Sequence, residues 1–230
     1  MRQIIEYLST KVAKPSIIKA TDETIHEIVK AELDRLGHNA DLNHIDVSEV
    51  TDMDYLFSID EGAVFEKYKN MNPDVSKWNT INVTSMSNMF DGCKKFDCDI
   101  SEWKVDNVTS TISMFSDCIK FNSDLSKWNI SNVEHSEFMF NNCKNFNNDI
   151  SKWRTHKILN MMYMFYDCKS FNCDISKWDV SNCLNMYRMF NGCTSFDQDI
   201  SEWKVNKVQN SNEIFDRCKI KKEHKPKFKK

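Results

Sequence analysis

Six cysteines recur every 25 residues, Cys93, Cys118, Cys143, Cys168, Cys193 and Cys218, each closing a motif such as MFDGC or MFNNC. Thiols at a fixed interval could form disulfides, hold metal, or stand as a structural column. Structural zinc uses cysteine pairs two to four residues apart. No C-x-x-C occurs; the closest spacing, four residues between as in Cys93 and Cys98, comes with no histidine close by. Neighbouring repeats would bring column cysteines within bridging range, but their side chains point the same way and the total of nine is odd. The reading is a column of small buried thiols, each donating weakly to a carbonyl in the next coil. No metal or cofactor is expected.

A second column is acidic: Asp74, Asp99, Asp124, Asp149, Asp174 and Asp199. Stacked carboxylates about 5 Å apart repel unless neutralised. They could line a calcium ladder, the alternative reading. The preferred reading is that each accepts a backbone N–H in its own turn. Catalysis finds no footing: the sequence lacks G-x-S-x-G, a phosphate-cradling glycine loop and H-E-x-x-H. The six histidines lie in unrelated contexts. The chain is therefore read as non-enzymatic.

The elements that would position these columns follow from the period. Tryptophan recurs at Trp78, Trp103, Trp128, Trp153, Trp178 and Trp203, and phenylalanine at Phe90, Phe115, Phe140, Phe165, Phe190 and Phe215. A second phenylalanine column runs from Phe96 to Phe196. A sustained 25-residue period means repeats that bury their apolar faces against one another. The β-branched residue two after each Trp predicts a short strand. Val83, Met86 and Phe90 stand at helical spacing and predict a short helix. Gly92, Asp117, Asn142, Asp167 and Gly192 tolerate the left-handed conformation and read as its stop. The predicted fold is α/β: a leucine-rich-repeat-like solenoid of 25-residue coils, each with one strand and one helix. Its Trp rings should stack at about 4.5–7 Å.

The ends differ. Residues 1–44 are assigned to an N-terminal helical cap, whose helix starts at Thr21 and stops at Gly37, with Ile25, Ile28, Val29, Leu33 and Leu36 facing the stack. Residues 45–218 form the repeat region: a degenerate first coil, 45–73, puts Ile45 in the Trp position and holds an eight-residue insertion around SIDEGAVFEKYK, and regular coils run from 74. Residues 219–230 are a basic tail, read as solvated and frayed. The segment from Arg217 onward carries +7 and the rest −10. An acidic body argues against a nucleic-acid surface. No stretch is long and apolar enough for membrane insertion, and no signal peptide is visible, so a cytoplasmic location is expected, with a surface or secreted one as the alternative.

The motifs FNNDISKW, FNCDISKWDVSN and NVTSMSNMFDGC resemble the BspA-like leucine-rich-repeat family, a bacterial surface-protein repeat of about 25–26 residues. The resemblance covers roughly residues 22–228. It implies a leucine-rich-repeat-like solenoid and, for exported members, adhesion to partner molecules; it brings no catalytic residues.

What varies between coils points to binding. The position two before the first Phe reads Asn88, Ser113, Phe138, Tyr163, Arg188 and Glu213, and its neighbour reads Ser87, Ile112, Glu137, Met162, Tyr187 and Asn212. Stacking would gather Ile112, Phe138, Met162, Tyr163, Tyr187 and Arg188 on one lateral face, and such patches mark protein contacts. The expected function is protein–protein binding through this face, with an exported adhesin or host-directed factor as the alternative. The partner's identity and the oligomeric state are left open.

Overall fold

A computed structural model describes residues 16–59, 68 and 70–228. Residues 1–15 of the assigned cap, residues 60–67 and 69 of the insertion, and the last two residues lie outside the described set.

The α/β expectation is overturned. The described residues contain one α-helix, α1 (Ile25–Leu36), two two-residue strands, β1 (Ile18–Lys19) and β2 (Ile45–Asp46), and a short 3₁₀ turn at Lys222–His224. β1 and β2 pair in parallel. Among the described residues, no regular repeat from 74 to 218 carries a strand or a helix of its own. Each is a closed string of tight turns, with i-to-i−3 bonds at Trp78 to Val75, Val83 to Thr80, Met89 to Met86, Asp91 to Asn88, Cys93 to Phe90 and Phe96 to Cys93.

The reason lies in two backbone positions per repeat. Asn88, Ser113, Phe138, Tyr163, Arg188 and Glu213 all have φ between 52° and 59°, and residues four further on, from Gly92 to Arg217, are left-handed too. A left-handed residue reverses the sense of a right-handed turn, so no helix propagates. Alternate N–H groups then close local turns, and the others leave the repeat. Those of Ser113, Phe115 and Asp117 reach the carbonyls of Glu137, Met139 and Asn141 in the next repeat at 2.8–3.0 Å. The strand expectation fails for a related reason. The residue two after Trp is buried as anticipated (Val105 2%, Val180 1% exposed), but the chain turns within three residues, as Val108 N–H bonds Val105 O. Only single bridges survive, linking Ser85, Ser110, His135, Asn160, Asn185 and Asn210 in parallel.

Aromatic columns hold these turn-built layers together. Trp78 and Trp103 stack at 6.3 Å and 5°, and Trp153 and Trp178 at 6.1 Å. Phe115, Phe140 and Phe165 succeed one another at 5.7 and 5.6 Å. The second column follows at 6.0 Å from Phe121 to Phe146. Each indole N–H donates to a carbonyl one repeat back, Trp128 to Ile100 at 3.1 Å and Trp178 to Ile150 at 3.0 Å. Burying one such ring stabilises by about 1.5–3 kcal/mol, and the indole bond leaves no polar atom stranded.

At the N-terminal end, α1 buries Ile25, Val29 and Leu33. Ile28 is only half-buried, and Leu36 is 44% exposed. In their place Glu32 turns inward, accepting from Arg35 Nε and from His44 Nε2 at 2.8 Å. The turn entering α1 begins at Thr21, whose carbonyl accepts Ile25 N–H, but the capping position is Thr24. Gly37 ends the helix at φ 91°. Asp22 ties the helix to the first layer by accepting the N–H groups of Thr51 and Asp52.

The C-terminal segment is docked, not frayed. Ile220 is buried and Phe228 packs against the core. Lys221 N–H and His224 Nδ1 both meet Asp197 Oδ1, at 2.9 and 3.0 Å. No helix among the described residues is long and apolar enough to cross a membrane.

Candidate functional site

The cysteine column is inert by position. Cys118, Cys143 and Cys168 are fully buried, and their Sγ–H groups donate to the carbonyls of Phe90, Phe115 and Phe140 at 3.1, 2.9 and 2.8 Å. The acceptor lies one repeat back, not in the next coil as expected. Burial pushes these thiols well above their ordinary range, so they hold no reactive thiolate near neutrality. All nine cysteines are free thiols.

Each column aspartate accepts the N–H of the serine two residues on, as Asp99 does from Ser101 and Asp174 from Ser176 at 3.0 and 2.9 Å. Those bonds hold the carboxyls of Asp99, Asp124, Asp174 and Asp199 below the usual range. One oxygen of each is thus committed to its own turn. Among the described residues no three His, Cys, Asp or Glu side chains cluster in a way that could hold a metal ion.

The lateral face is built at the left-handed position of each repeat. Holding a bulky L-residue there costs roughly 1–2 kcal/mol. The chain places Asn88 and Ser113 at the position in two repeats, and Phe138, Tyr163, Arg188 and Glu213 in the next four. The large side chains form a continuous run. Phe138 and Tyr163 stack at 4.7 Å and 10°. Tyr163 meets Tyr187 edge-on at 5.3 Å. Arg188 lies 5.0 Å from the Tyr187 ring centre and 5.8 Å from that of Tyr163. Its Nη1 donates to the Tyr163 hydroxyl at 3.0 Å and its Nε to Glu213 at 2.8 Å. Glu213 first, then the Tyr163 hydroxyl, hold the guanidinium charged.

Of the six residues expected to gather, Phe138, Tyr163, Tyr187 and Arg188 touch in one chain of contacts. Met162 shares their layers and is half-buried. Ile112 is also half-buried but stands two repeats from Met162, with Glu137 between them. Glu137 is turned inward: its Oε1 accepts from Asn160 Nδ2 at 2.7 Å, while its buried Oε2 meets no partner among the described residues.

The sequence reading missed two members. Tyr166 packs 5.2 Å from Tyr163, and Arg217 lies 5.9 Å from its ring, donating to its hydroxyl at 3.2 Å and to Asn191 Oδ1 at 2.8 Å. Their signal was present. The column Asp91, Ser116, Asn141, Tyr166, Asn191 and Asp216 varies as freely as the two that were read. The assembled face is an aromatic strip of Phe138, Tyr163, Tyr166 and Tyr187 with two charged guanidiniums at one end. Such a strip can bind by ring burial, cation–π contact and directed hydrogen bonds.

The turn-built repeats and the shared columns define a repeat protein. The family described as "Mycoplasma protein of unknown function, DUF285" matches residues 60–167 and 148–228. The chain belongs to that family. No curated protein matches it.

Proposed function

We propose that this chain is a non-enzymatic repeat protein that binds another protein through the lateral strip of Phe138, Met162, Tyr163, Tyr187 and Arg188, extended by Tyr166 and Arg217. One observation carries the reading: consecutive repeats hold bulky aromatic and charged side chains at a left-handed backbone position that asparagine and glycine fill at lower cost. Strain kept at adjacent positions of one face is a signature of use. The composition supports it, since Tyr and Arg are the residues that most often anchor protein interfaces. The motif resemblance to BspA-like leucine-rich repeats, whose exported members adhere to partners, agrees with a recognition role.

The test is capture from native extract by wild-type protein and by Phe138→Asp/Tyr163→Asp. Aspartate tolerates the left-handed conformation, so the variant is expected to fold. Loss of a specific partner with the thermal midpoint kept supports the proposal; unchanged capture removes this face from consideration.

A further inference from the structure

We infer that the C-terminal edge of the stack is a second docking site, which takes one further turn-built repeat supplied by another polypeptide. In the internal repeats, three or four alternate N–H groups bond the next layer; the repeat of Phe138 uses three, Phe138, Phe140 and Asn142. In the penultimate one, Met186, Arg188, Phe190 and Gly192 donate to the carbonyls of Asn210, Asn212, Ile214 and Asp216 at 2.8–3.1 Å. The corresponding donors of the last repeat, the N–H groups of Ser211, Glu213, Phe215 and Arg217, meet no acceptor among the described residues. One acceptor is open beside them. The carbonyls of Leu159 and Leu184 take an N–H from the following layer, whereas that of Gln209 takes none.

The closing segment does not cover this row. It seals the core side instead, where Ile200 N–H bonds His224 O at 3.0 Å and Ile220 is buried. Ser211 is half-buried and Asn212, Glu213, Asp216 and Arg217 are exposed, while Phe215 is half-buried with Lys225 Nζ 5.2 Å from its ring centre. An unpaired row of backbone donors is a template for another chain.

The shape of the row selects its occupant. Glu213 and Arg217 have φ of 55° and 54°, so the donors stay aligned along a path that bends twice. A straight strand cannot follow it. A segment that offers one N–H and then carbonyls at alternate residues, with left-handed residues at the same two bends, does follow it, and that pattern is this repeat's own. Charge sets a preference among such segments: Arg217 to Lys230 carries +7, which favours an acidic repeat.

The probe is a synthetic peptide spanning residues 99–123, a complete repeat of net charge −2. Amide hydrogen exchange is followed at Ser211, Glu213, Phe215 and Arg217. Without peptide these four should exchange about 100-fold or more faster than Met186, Arg188, Phe190 and Gly192. Saturating peptide should bring them to the slow class, with weaker binding at high salt and no effect from a scrambled peptide. The Phe138→Asp/Tyr163→Asp protein should show the same protection, which separates this site from the lateral strip. Four amides already slow in the free protein, no change at millimolar peptide, equal protection by the scrambled sequence, or loss of protection in the double variant would each overturn the inference.

Discussion

Replacing Ser113 with glycine tests the backbone account through the sign of a stability change. Ser113 has φ 52° and its side chain makes no hydrogen bond among the described residues. A non-glycine residue in that conformation costs roughly 1–2 kcal/mol. Glycine removes the cost but gives back about 0.4–1 kcal/mol through the freer unfolded chain. The balance is a gain of roughly 0.5–1 kcal/mol. For a chain of this size that raises the thermal midpoint by about 1–4 °C. Ser113→Asn, which installs the residue found at Asn88, should also stabilise because asparagine tolerates the left-handed region. If the segment were the helix its spacing suggests, glycine would instead destabilise by about 0.5 kcal/mol relative to serine. Calorimetry of the three proteins decides between them, and a lowered midpoint for Ser113→Gly would refute the reasoning.

Other outcomes follow from single contacts. Gly192→Ala should destabilise in chemical denaturation, because at φ 81° the new Cβ would run into the Asp167 carboxylate and crowd its Cα. Cys143→Ala should cost only about 1 kcal/mol, because the Phe115 carbonyl loses a weak Sγ–H donor but keeps the Cys118 N–H at 3.0 Å, and should leave partner capture intact. Acid should loosen the C-terminal segment. The Lys221 N–H foremost, with Lys221 and His224 side chains, lowers the Asp197 carboxyl from 3.8 to about 2, so its contribution is complete above about 3.8 and is lost as pH falls through about 2. NMR signals of Ile220 and His224 should report that release, and Asp197→Asn should abolish its pH dependence.

The period, the Trp and Phe columns and the buried thiols were legible because identical side chains recur at identical depth. The aspartate turns were legible because Asp and Ser two apart have one common local use. Local conformation was not. Val83, Met86 and Phe90 lie on one side of a helix, but a string of tight turns buries the same three residues, and periodicity cannot separate the two. Gly92 and Asn142 announced the second left-handed position; Phe138, Tyr163 and Arg188 concealed the first, since bulky residues rarely occupy it. The lateral strip was found in part because two variable columns were followed and a third, carrying Tyr166, was not. The docked C-terminal segment was masked by its lysines, although Ile220 and Phe228 supplied the apolar anchors.

Site-specific photocrosslinking tests the lateral surface most directly. A benzoylphenylalanine placed at Tyr163 and another at the exposed Lys104 would be irradiated in native extract. The account predicts a discrete crosslinked partner from position 163 and none from position 104. A partner captured from 104 alone, or equally from both, would contradict it.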